Sequence, residues 1–310
     1  MASSEPAGAA LDGVRRTGSW RAGVLGKPIA HSLSPVIHNA GYRAAGLSGW
    51  SYTATECAET ELADLVAGLG PQWAGLSLTM PLKEAALAVA VDASPVAVAV
   101  GAANTLVRRP DGGWFADNTD VPGMVAVLRE AGVRPGARIA VLGAGGTARA
   151  ALAAAAALAA TGVVVIARRA AAIDELAPVA AALGVPVGGS DWTAAPQAAA
   201  DADVLISTVP KGIADPLAAH LAWASVKVFF DALYDPWPTP LAVAATAAGT
   251  TVVSGLDLLL AQAVGQFEQF TGVTAPVAAM RAALYAAPFS RAGAGPASAR
   301  RSVTASPPRR

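Results

Sequence analysis

One cysteine and three histidines are all that 310 residues offer as soft metal ligands. A lone Cys57 excludes an intramolecular disulfide framework and a cysteine-cluster metal site. His31 and His38 flank a serine-rich turn, and His220 lies far along the chain. No third ligand stands at a suitable spacing, so no metal is expected and the histidines read as structural or substrate-lining. Charge is scarce too: 14% of residues are charged, and 22 basic residues balance 22 acidic ones. That balance argues against a chain built to bind nucleic acid or an acidic membrane surface. Aromatic residues make up only 5%, and Trp223, Phe229, Phe230, Trp237, Phe267 and Phe270 are expected in the core or in a cleft wall. Long apolar runs are missing as well, although 54% of residues are apolar and the mean hydropathy is +0.46. The alanine-rich run Ala150–Ala160 spans 11 residues, short of the ~20 needed to cross a bilayer. No membrane partner is expected. The N-terminal stretch carries Glu5 and no apolar segment of signal-peptide length. Residues 1–18 therefore read as a disordered extension, and the cytoplasm is the expected location. Residues 290–310, with five arginines and no acid, read as a solvated disordered tail.

What the chain does have is alternation. Short β-type runs at Ala22–Gly26, Ser51–Ala54 and Gly75–Thr79 are separated by helical stretches at Pro35–Ala45, Thr60–Gly68 and Pro81–Val89. This order predicts a mostly parallel α/β sheet. A second series starts near Pro122, with strand runs at Arg138–Leu142, Val163–Ile166, Val204–Ser207 and Val226–Phe230, and a long alanine-rich helix to about Ala160. After Val253-Ser254-Gly255 two helices close the chain, through Phe270 and over Ala275–Ala286. They need a surface to bury against, which predicts that they return to the first unit.

Gly143-Ala144-Gly145-Gly146-Thr147-Ala148 follows a predicted strand and opens a predicted helix. It satisfies the G-x-G-x-x-G/A fingerprint in the context that gives that pattern meaning. The first glycine permits the tight turn, the second lets backbone approach a pyrophosphate, and the small third residue packs helix on strand. Free N–H groups at the helix start then face the phosphates. At the end of the next strand, an acid would favour NAD by accepting ribose hydroxyls. Here Arg168 and Arg169 stand instead, and guanidinium groups suit a 2′-phosphate. The cofactor expected is NADP.

The first unit concentrates polar residues in its turns. Ser32 and Ser34 precede a helix that begins with Pro35, so Ser34 either caps that helix or joins Ser32 in binding a ligand carboxylate. Lys83 follows Thr79-Met80-Pro81-Leu82, and a helix starting at Pro81 would place it in the first turn. The dipole there disfavours a cation, which marks Lys83 as a proton donor and acceptor or else as an exposed surface lysine. Asn104 and Asp117-Asn118-Thr119-Asp120 cluster amides and acids at loop positions, commonly a mark of turn chemistry.

Taken in order, six blocks resemble the shikimate dehydrogenase family from about Gly23 to Leu284. They are Gly26-Lys27-Pro28-Ile29-Ala30-His31-Ser32-Leu33-Ser34-Pro35, Thr79-Met80-Pro81-Leu82-Lys83, Ala103-Asn104-Thr105, Asn118-Thr119-Asp120, Gly143-Ala144-Gly145-Gly146-Thr147-Ala148-Arg149 and Gly255-Leu256-Asp257-Leu258-Leu259-Leu260-Ala261-Gln262. The resemblance implies reversible hydride transfer between 3-dehydroshikimate plus NADPH and shikimate plus NADP+. It implies a two-domain α/β enzyme with a cleft: residues 19–120 and 256–289 binding substrate, and residues 121–255 forming a Rossmann-type NADP domain. It assigns Ser32 and Ser34 to the substrate carboxylate with Tyr234 nearby, Thr79, Asn104 and Gln262 to ring hydroxyls, and Lys83 with Asp120 to catalysis. The cofactor set it implies is Gly143, Ala144, Gly145, Gly146, Thr147, Ala148, Arg168, Arg169 and Gly255, in a monomer or homodimer. Ser77, Ala167, Ser207-Thr208-Val209-Pro210 and Leu258 depart from the commonest family pattern. An NAD-dependent quinate/shikimate dehydrogenase is the enzymatic alternative, disfavoured by the arginine pair and by Ser34. A non-catalytic ligand sensor on the same fold would be expected to lose the lysine–aspartate pair or gain a domain.

Overall fold

Short runs of Val, Ile, Leu and Ala between turn residues build two separate six-stranded sheets. The computed structural model describes Arg16 and residues 18–287; the arginine-rich tail at 290–310 lies outside the described residues. So does nearly all of the extension at 1–18, but its end is not free. Arg16 donates its backbone N–H to Thr271 O at 3.3 Å and its guanidinium to Arg108 O, and it lies 4.9 Å over the Trp20 ring.

The first sheet contains β1 (Trp20–Gly26), β2 (Trp50–Glu56), β3 (Trp73–Leu78), β4 (Asp92–Ala93), β5 (Thr105–Arg108) and β6 (Trp114–Asp117), in the order β2-β1-β3-β5-β6-β4. Its helices are α1 (Ser34–Ala44), α2 (Leu62–Ala67), α3 (Ala86–Val89) and α4 (Pro95–Val100). Strand β1 pairs in parallel with β2 and β3, whereas β3–β5 and β5–β6 are antiparallel. Strand β4 pairs in parallel with β6, so the sheet is mostly parallel as predicted, with β5 alone running against the others. The β5–β6 reversal is a tight turn: Arg109 N–H bonds Gly113 O at 2.9 Å, with Gly112 at φ +88°.

The chain then enters α5 (Asp120–Glu130) and the second sheet, made of β7 (Arg138–Leu142), β8 (Gly162–Ala167), β9 (Val187–Asp191), β10 (Val204–Ser207), β11 (Val228–Asp231) and β12 (Thr251–Val253). Helices α6 (Gly146–Ala157), α7 (Ala170–Asp174), α8 (Ala177–Leu183), α9 (Ala195–Ala199) and α10 (Pro240–Ala247) connect them. All pairings are parallel, in the order β12-β11-β10-β7-β8-β9. This is the doubly wound 3-2-1-4-5-6 order of a dinucleotide-binding unit, with its switch point between β7 and β10. Phe229 and Phe230 are fully buried on its two faces, with Trp223 and Trp237 packed against the core that holds Phe229.

As predicted, the closing helices α11 (Gly255–Thr271) and α12 (Val277–Ala286) return to the first sheet. Leu256, Leu260, Ala263, Phe267 and Phe270 of α11 and Met280 and Leu284 of α12 share one core with Ala22, Val24, Ile37 and Tyr42. The Phe270 ring lies against the bare Cα of Gly75 in β3, where an added Cβ would come within 2.0 Å of it. Inside this core His38 stacks on Tyr52, ring centroids 4.1 Å apart and planes 6° from parallel. Neither of its ring nitrogens has a hydrogen-bond partner among the described residues.

Burial pushes the His38 imidazole down to about 3, and the neighbouring Gln266 amide offsets only part of that. The folded state therefore holds His38 neutral, while the unfolded chain protonates it below its ordinary value near ~6.5. The unfolded state binds the extra proton between those limits, so stability falls as pH drops below ~6.5, by up to about 1.4 kcal/mol per pH unit from this group. We predict that His38→Phe flattens the fall of Tm between pH 6.5 and 4 relative to the wild type in a pH series of thermal melts. Identical slopes for the two proteins would remove His38 as the cause.

Candidate active site

The two sheets meet along α5 and α11, and the polar residues singled out in the sequence collect at that boundary. Asp120 opens α5, where the free N–H groups of the helix start favour a carboxylate. Its own N–H bonds Asn118 Oδ1 at 3.1 Å, which sets the entry angle of the helix. Lys83 Nζ reaches its Oδ2 at 2.6 Å, with the two side chains only 22% and 9% exposed.

Lys83 does not sit on a helix. Residues 81–85 are turns, and the helix begins only at Ala86, so the expected dipole effect on Lys83 is absent. The reason is a competing tertiary bond. Lys83 O accepts the N–H of Ala103 at 2.7 Å and leaves Leu87 N–H to take Glu84 O at 3.4 Å, so the helical ladder is not made there. Fully buried Leu82 anchors the turn from below. The lysine is thereby tied to the segment that carries Asn104.

Asn104 is buried, and its Oδ1 accepts three hydrogen bonds: from Thr119 N–H at 2.8 Å, Thr105 Oγ1 at 2.8 Å and Thr119 Oγ1 at 3.1 Å. Its Nδ2 makes no bond among the described residues and is the group left for a ligand. Gln262, on α11, is held through Nε2 to Leu259 O at 2.8 Å, which leaves its Oε1 without a bond among the described residues. Gly123 lets α5 approach that point: a Cβ there would stand 3.1 Å from Gln262 N. Thr79 is half-buried at the end of β3, its N–H bonded to Leu25 O at 3.0 Å.

Ser34 is the first residue of α1 and is buried; the N-cap position belongs to Leu33, and no side chain caps the helix. Of the two readings of Ser34, capping falls. Ser32 is half-buried, and its Oγ lies 3.4 Å from Ser34 N. Tyr234 is half-buried against the first core, on the turn between β11 and α10. Burial pushes its phenol up, and the charge of Asp235 adds to the shift. That turn is shaped by buried Asp231, which accepts Leu233 N–H at 3.1 Å and Thr239 Oγ1 at 2.7 Å, and which burial pushes up.

At the switch point Gly143 has φ +103°, and a Cβ would stand 2.6 Å from Thr208 Oγ1. Both conformation and space require glycine there. Nothing lies within 4 Å of a Cβ at Gly145 or Gly146, and α6 begins with no side-chain cap, so its first N–H groups face open space. Ala148 is fully buried against the sheet. Ala144 and Thr147 are half-buried in the same turn. Arg168 and Arg169 follow β8 and are exposed, with no ion-pair partner among the described residues. These residues fit a dinucleotide carrying an extra phosphate. Gly255 stands apart from that turn; it is glycine because a Cβ would meet Ala232 O at 2.2 Å. Arg149 reaches from α6 toward the substrate side, its Nε 3.9 Å from Glu84, the neighbour of Lys83.

Sequence reasoning missed Tyr52 and Gln266, and met Ser77 only as a departure from a pattern. In the structure they form one buried chain: Tyr52 OH donates to Ser77 Oγ at 2.5 Å, and Ser77 Oγ donates to Gln266 Oε1 at 2.6 Å. The one available signal was the spacing of Gln266, one helical turn after Gln262 and so on the same face.

With this geometry in place, comparison with known proteins is direct. Residues 24–106 match the shikimate dehydrogenase substrate binding domain, and residues 255–285 match the shikimate 5'-dehydrogenase C-terminal domain. The shikimate dehydrogenase (NADP(+)) of Caulobacter vibrioides is 39% identical over 259 residues, covering 81% of this chain and 89% of that protein. The crystal structure of Mycobacterium tuberculosis shikimate dehydrogenase superposes with a TM-score of 0.80 at 47% identity, over 86% of this chain and 100% of that one. The Thermus thermophilus shikimate 5-dehydrogenase solved with NADP(H) and shikimate gives 0.75 at 31% identity, over 86% and 98%. Fold, blocks and relatives agree: the chain belongs to the shikimate dehydrogenase family.

Proposed function

We propose that this chain catalyses the reversible NADP-dependent reduction of 3-dehydroshikimate to shikimate, in the cleft between its two sheets. One observation carries the reading. Lys83 and Asp120, 37 residues apart in sequence, are held at 2.6 Å where the substrate-side turns meet the helix that opens at the glycine turn. Residues 19–120 and 256–289 would form the substrate domain and 121–255 the cofactor domain. No helix among the described residues is long and apolar enough to cross a membrane, in keeping with a cytoplasmic enzyme acting on small molecules.

In this reading the Ser32 and Ser34 hydroxyls and Tyr234 take the substrate carboxylate, while Thr79, Asn104 and Gln262 hold ring hydroxyls. The saturated Oδ1 of Asn104 means that it meets a hydroxyl oxygen as a donor. Gly143, Ala144, Gly145, Gly146, Thr147 and Ala148 would cradle the pyrophosphate, and Arg168 and Arg169 the 2′-phosphate; Gly255 contributes by its backbone fit. The bound nicotinamide supplies or removes the hydride. Reduction of the ketone leaves negative charge on its oxygen, and the Lys83 ammonium stabilises that charge and delivers the proton. Asp120 aims the ammonium and stabilises its charged form. In the reverse direction Lys83 takes the hydroxyl proton, and Asp120 again holds the product cation.

General acid–base groups contribute about 10²–10⁴-fold. Lys83→Ala is therefore expected to cut kcat for shikimate oxidation by about that factor and to leave NADP+ binding within twofold, as read by initial rates and by cofactor titration. Near-normal turnover would remove Lys83 from catalysis. Replacing Arg168 and Arg169 together by Ser is expected to raise the KM for NADP+ about tenfold or more while the KM for NAD+ moves little. Offering shikimate or quinate with NADP+ or NAD+ to the wild type tests the whole reading. Reduction with quinate and NAD+ would instead favour the quinate enzyme, and no turnover from folded protein would favour the sensor.

A further inference from the structure

The buried chain under the substrate side has a direction. Tyr52 has one hydroxyl proton and donates it to Ser77 Oγ at 2.5 Å, so Ser77 turns its own proton to Gln266 Oε1 at 2.6 Å. The Asn104 carbonyl, which can only accept, fixes the other end of the Gln266 amide as nitrogen. That Nε2 donates to Thr105 Oγ1 and to Asn104 O, both at 3.0 Å. Because Thr105 receives that bond, its single proton goes to Asn104 Oδ1 at 2.8 Å. Every donor in the series is committed, and the last acceptor is the side-chain oxygen of Asn104.

An asparagine amide is nearly symmetric in shape, so shape alone does not decide whether its oxygen or its nitrogen faces a ligand. The bonds to Oδ1 decide it here. Gln266 itself is 1% exposed and sits below Asn104, out of reach of the cleft. The Tyr52 end of the same chain meets the serine turn: burial pushes the Tyr52 phenol up, while hydrogen bonds to Ser77 and Ser34 work against it.

We propose that Gln266 is a positioning residue for substrate. Through Thr105 its amide reinforces the orientation of Asn104 that Thr119 N–H also holds, so that the Nδ2 donor of Asn104 is presented to a ring hydroxyl. The proposal rests on the assignment of Asn104 to substrate made above. Its loss acts on substrate binding more than on the chemical step, because Lys83 and Asp120 are held by other bonds, from Ala103 and Asn118.

The test is a double-mutant cycle on the full-length enzyme, with shikimate and NADP+ as the probes. Gln266→Met keeps length and apolar volume while removing both donors and the acceptor. It is expected to raise the KM for shikimate about tenfold, with kcat changed less than threefold and the KM for NADP+ within twofold. Ser77→Ala, a smaller change at the direct partner of Gln266, is expected to move the same constant in the same direction and serves if Gln266→Met does not fold. In an Asn104→Ala background neither substitution should raise KM further, since the group they orient is gone. Full additivity in that background, or a loss of Tm with KM for shikimate unchanged, would overturn the proposal and leave Gln266 as core filling. The wild type is the control for the underlying reading: no shikimate turnover from it would overturn both, whereas an active wild type with an additive cycle overturns the positioning role alone.

Discussion

Everything in the cleft is referred to the contact between α5 and α11, the two helices that cross the boundary between the sheets. Glycine makes that contact close. A Cβ at Gly123 would stand 3.1 Å from Gln262 N, and one at Gly265 would stand 3.4 Å from Thr119 Cγ2. Larger side chains would force the axes apart, and Asp120 would move away from Gln262 with them. The same two helices carry their buried faces in opposite directions. Met124 and Leu128 of α5 pack into the second core, while Phe267 and Phe270 of α11 pack into the first. A smaller apolar seam of Val100, Ala102, Val121, Ala150 and Ala153 joins α4, α5 and α6 beside it. The cleft geometry is therefore inherited from apolar packing, which is non-directional, with glycine setting the distance.

Direction comes from hydrogen bonds laid over that packing. Beneath the substrate side runs a polar layer whose members are all buried and, apart from Asn104 Nδ2, bonded to one another: Ser77, Asn104, Thr105, Thr119 and Gln266. Such a layer is costly when incomplete, since a buried donor or acceptor left without a partner loses its hydration with nothing in return. Complete, it allows one arrangement of amides and hydroxyls, which suits a site that must distinguish one face of a polyhydroxylated ring. On the cofactor side the design is the reverse: bare backbone at Gly145 and Gly146, an uncapped helix start, and two guanidinium groups in solvent. A flexible anionic ligand is met there by exposed donors, not by a prearranged buried network.

The Lys83 segment shows why local pattern and final structure part company. Pro81 followed by Leu82, Lys83, Glu84, Ala85 and Ala86 has the composition of a helix start. The backbone instead gives Lys83 O to Ala103 at 2.7 Å, a bond to a residue 20 positions away, and the α-helix is delayed to Ala86. One long-range bond outweighs the small propensity differences along a single turn. At Arg109–Gly113 a reversal of a few residues sets β6 antiparallel to β5, the one strand that runs against an otherwise parallel sheet.

What the sequence determined by itself was therefore whatever rests on local chemistry. The glycine turn at Gly143, the strand runs of the second unit and the arginines after β8 are legible because strand period, turn glycines and charge act over a few residues. The short strands β4, β5 and β9 were not, since Asp92–Ala93, Thr105–Arg108 and Val187–Asp191 carry little apolar periodicity of their own and exist because a neighbouring strand offers them a ladder. Tertiary structure alone decided that Tyr52, Ser77 and Gln266 share one row of hydrogen bonds, though Ser77 and Gln266 lie 189 positions apart. It also decided that His38 is a ring stacked inside an aromatic core, where the sequence left it structural or substrate-lining. A hydrogen bond needs its partner within about 3 Å, and no local pattern records which distant residue the folded chain will bring there.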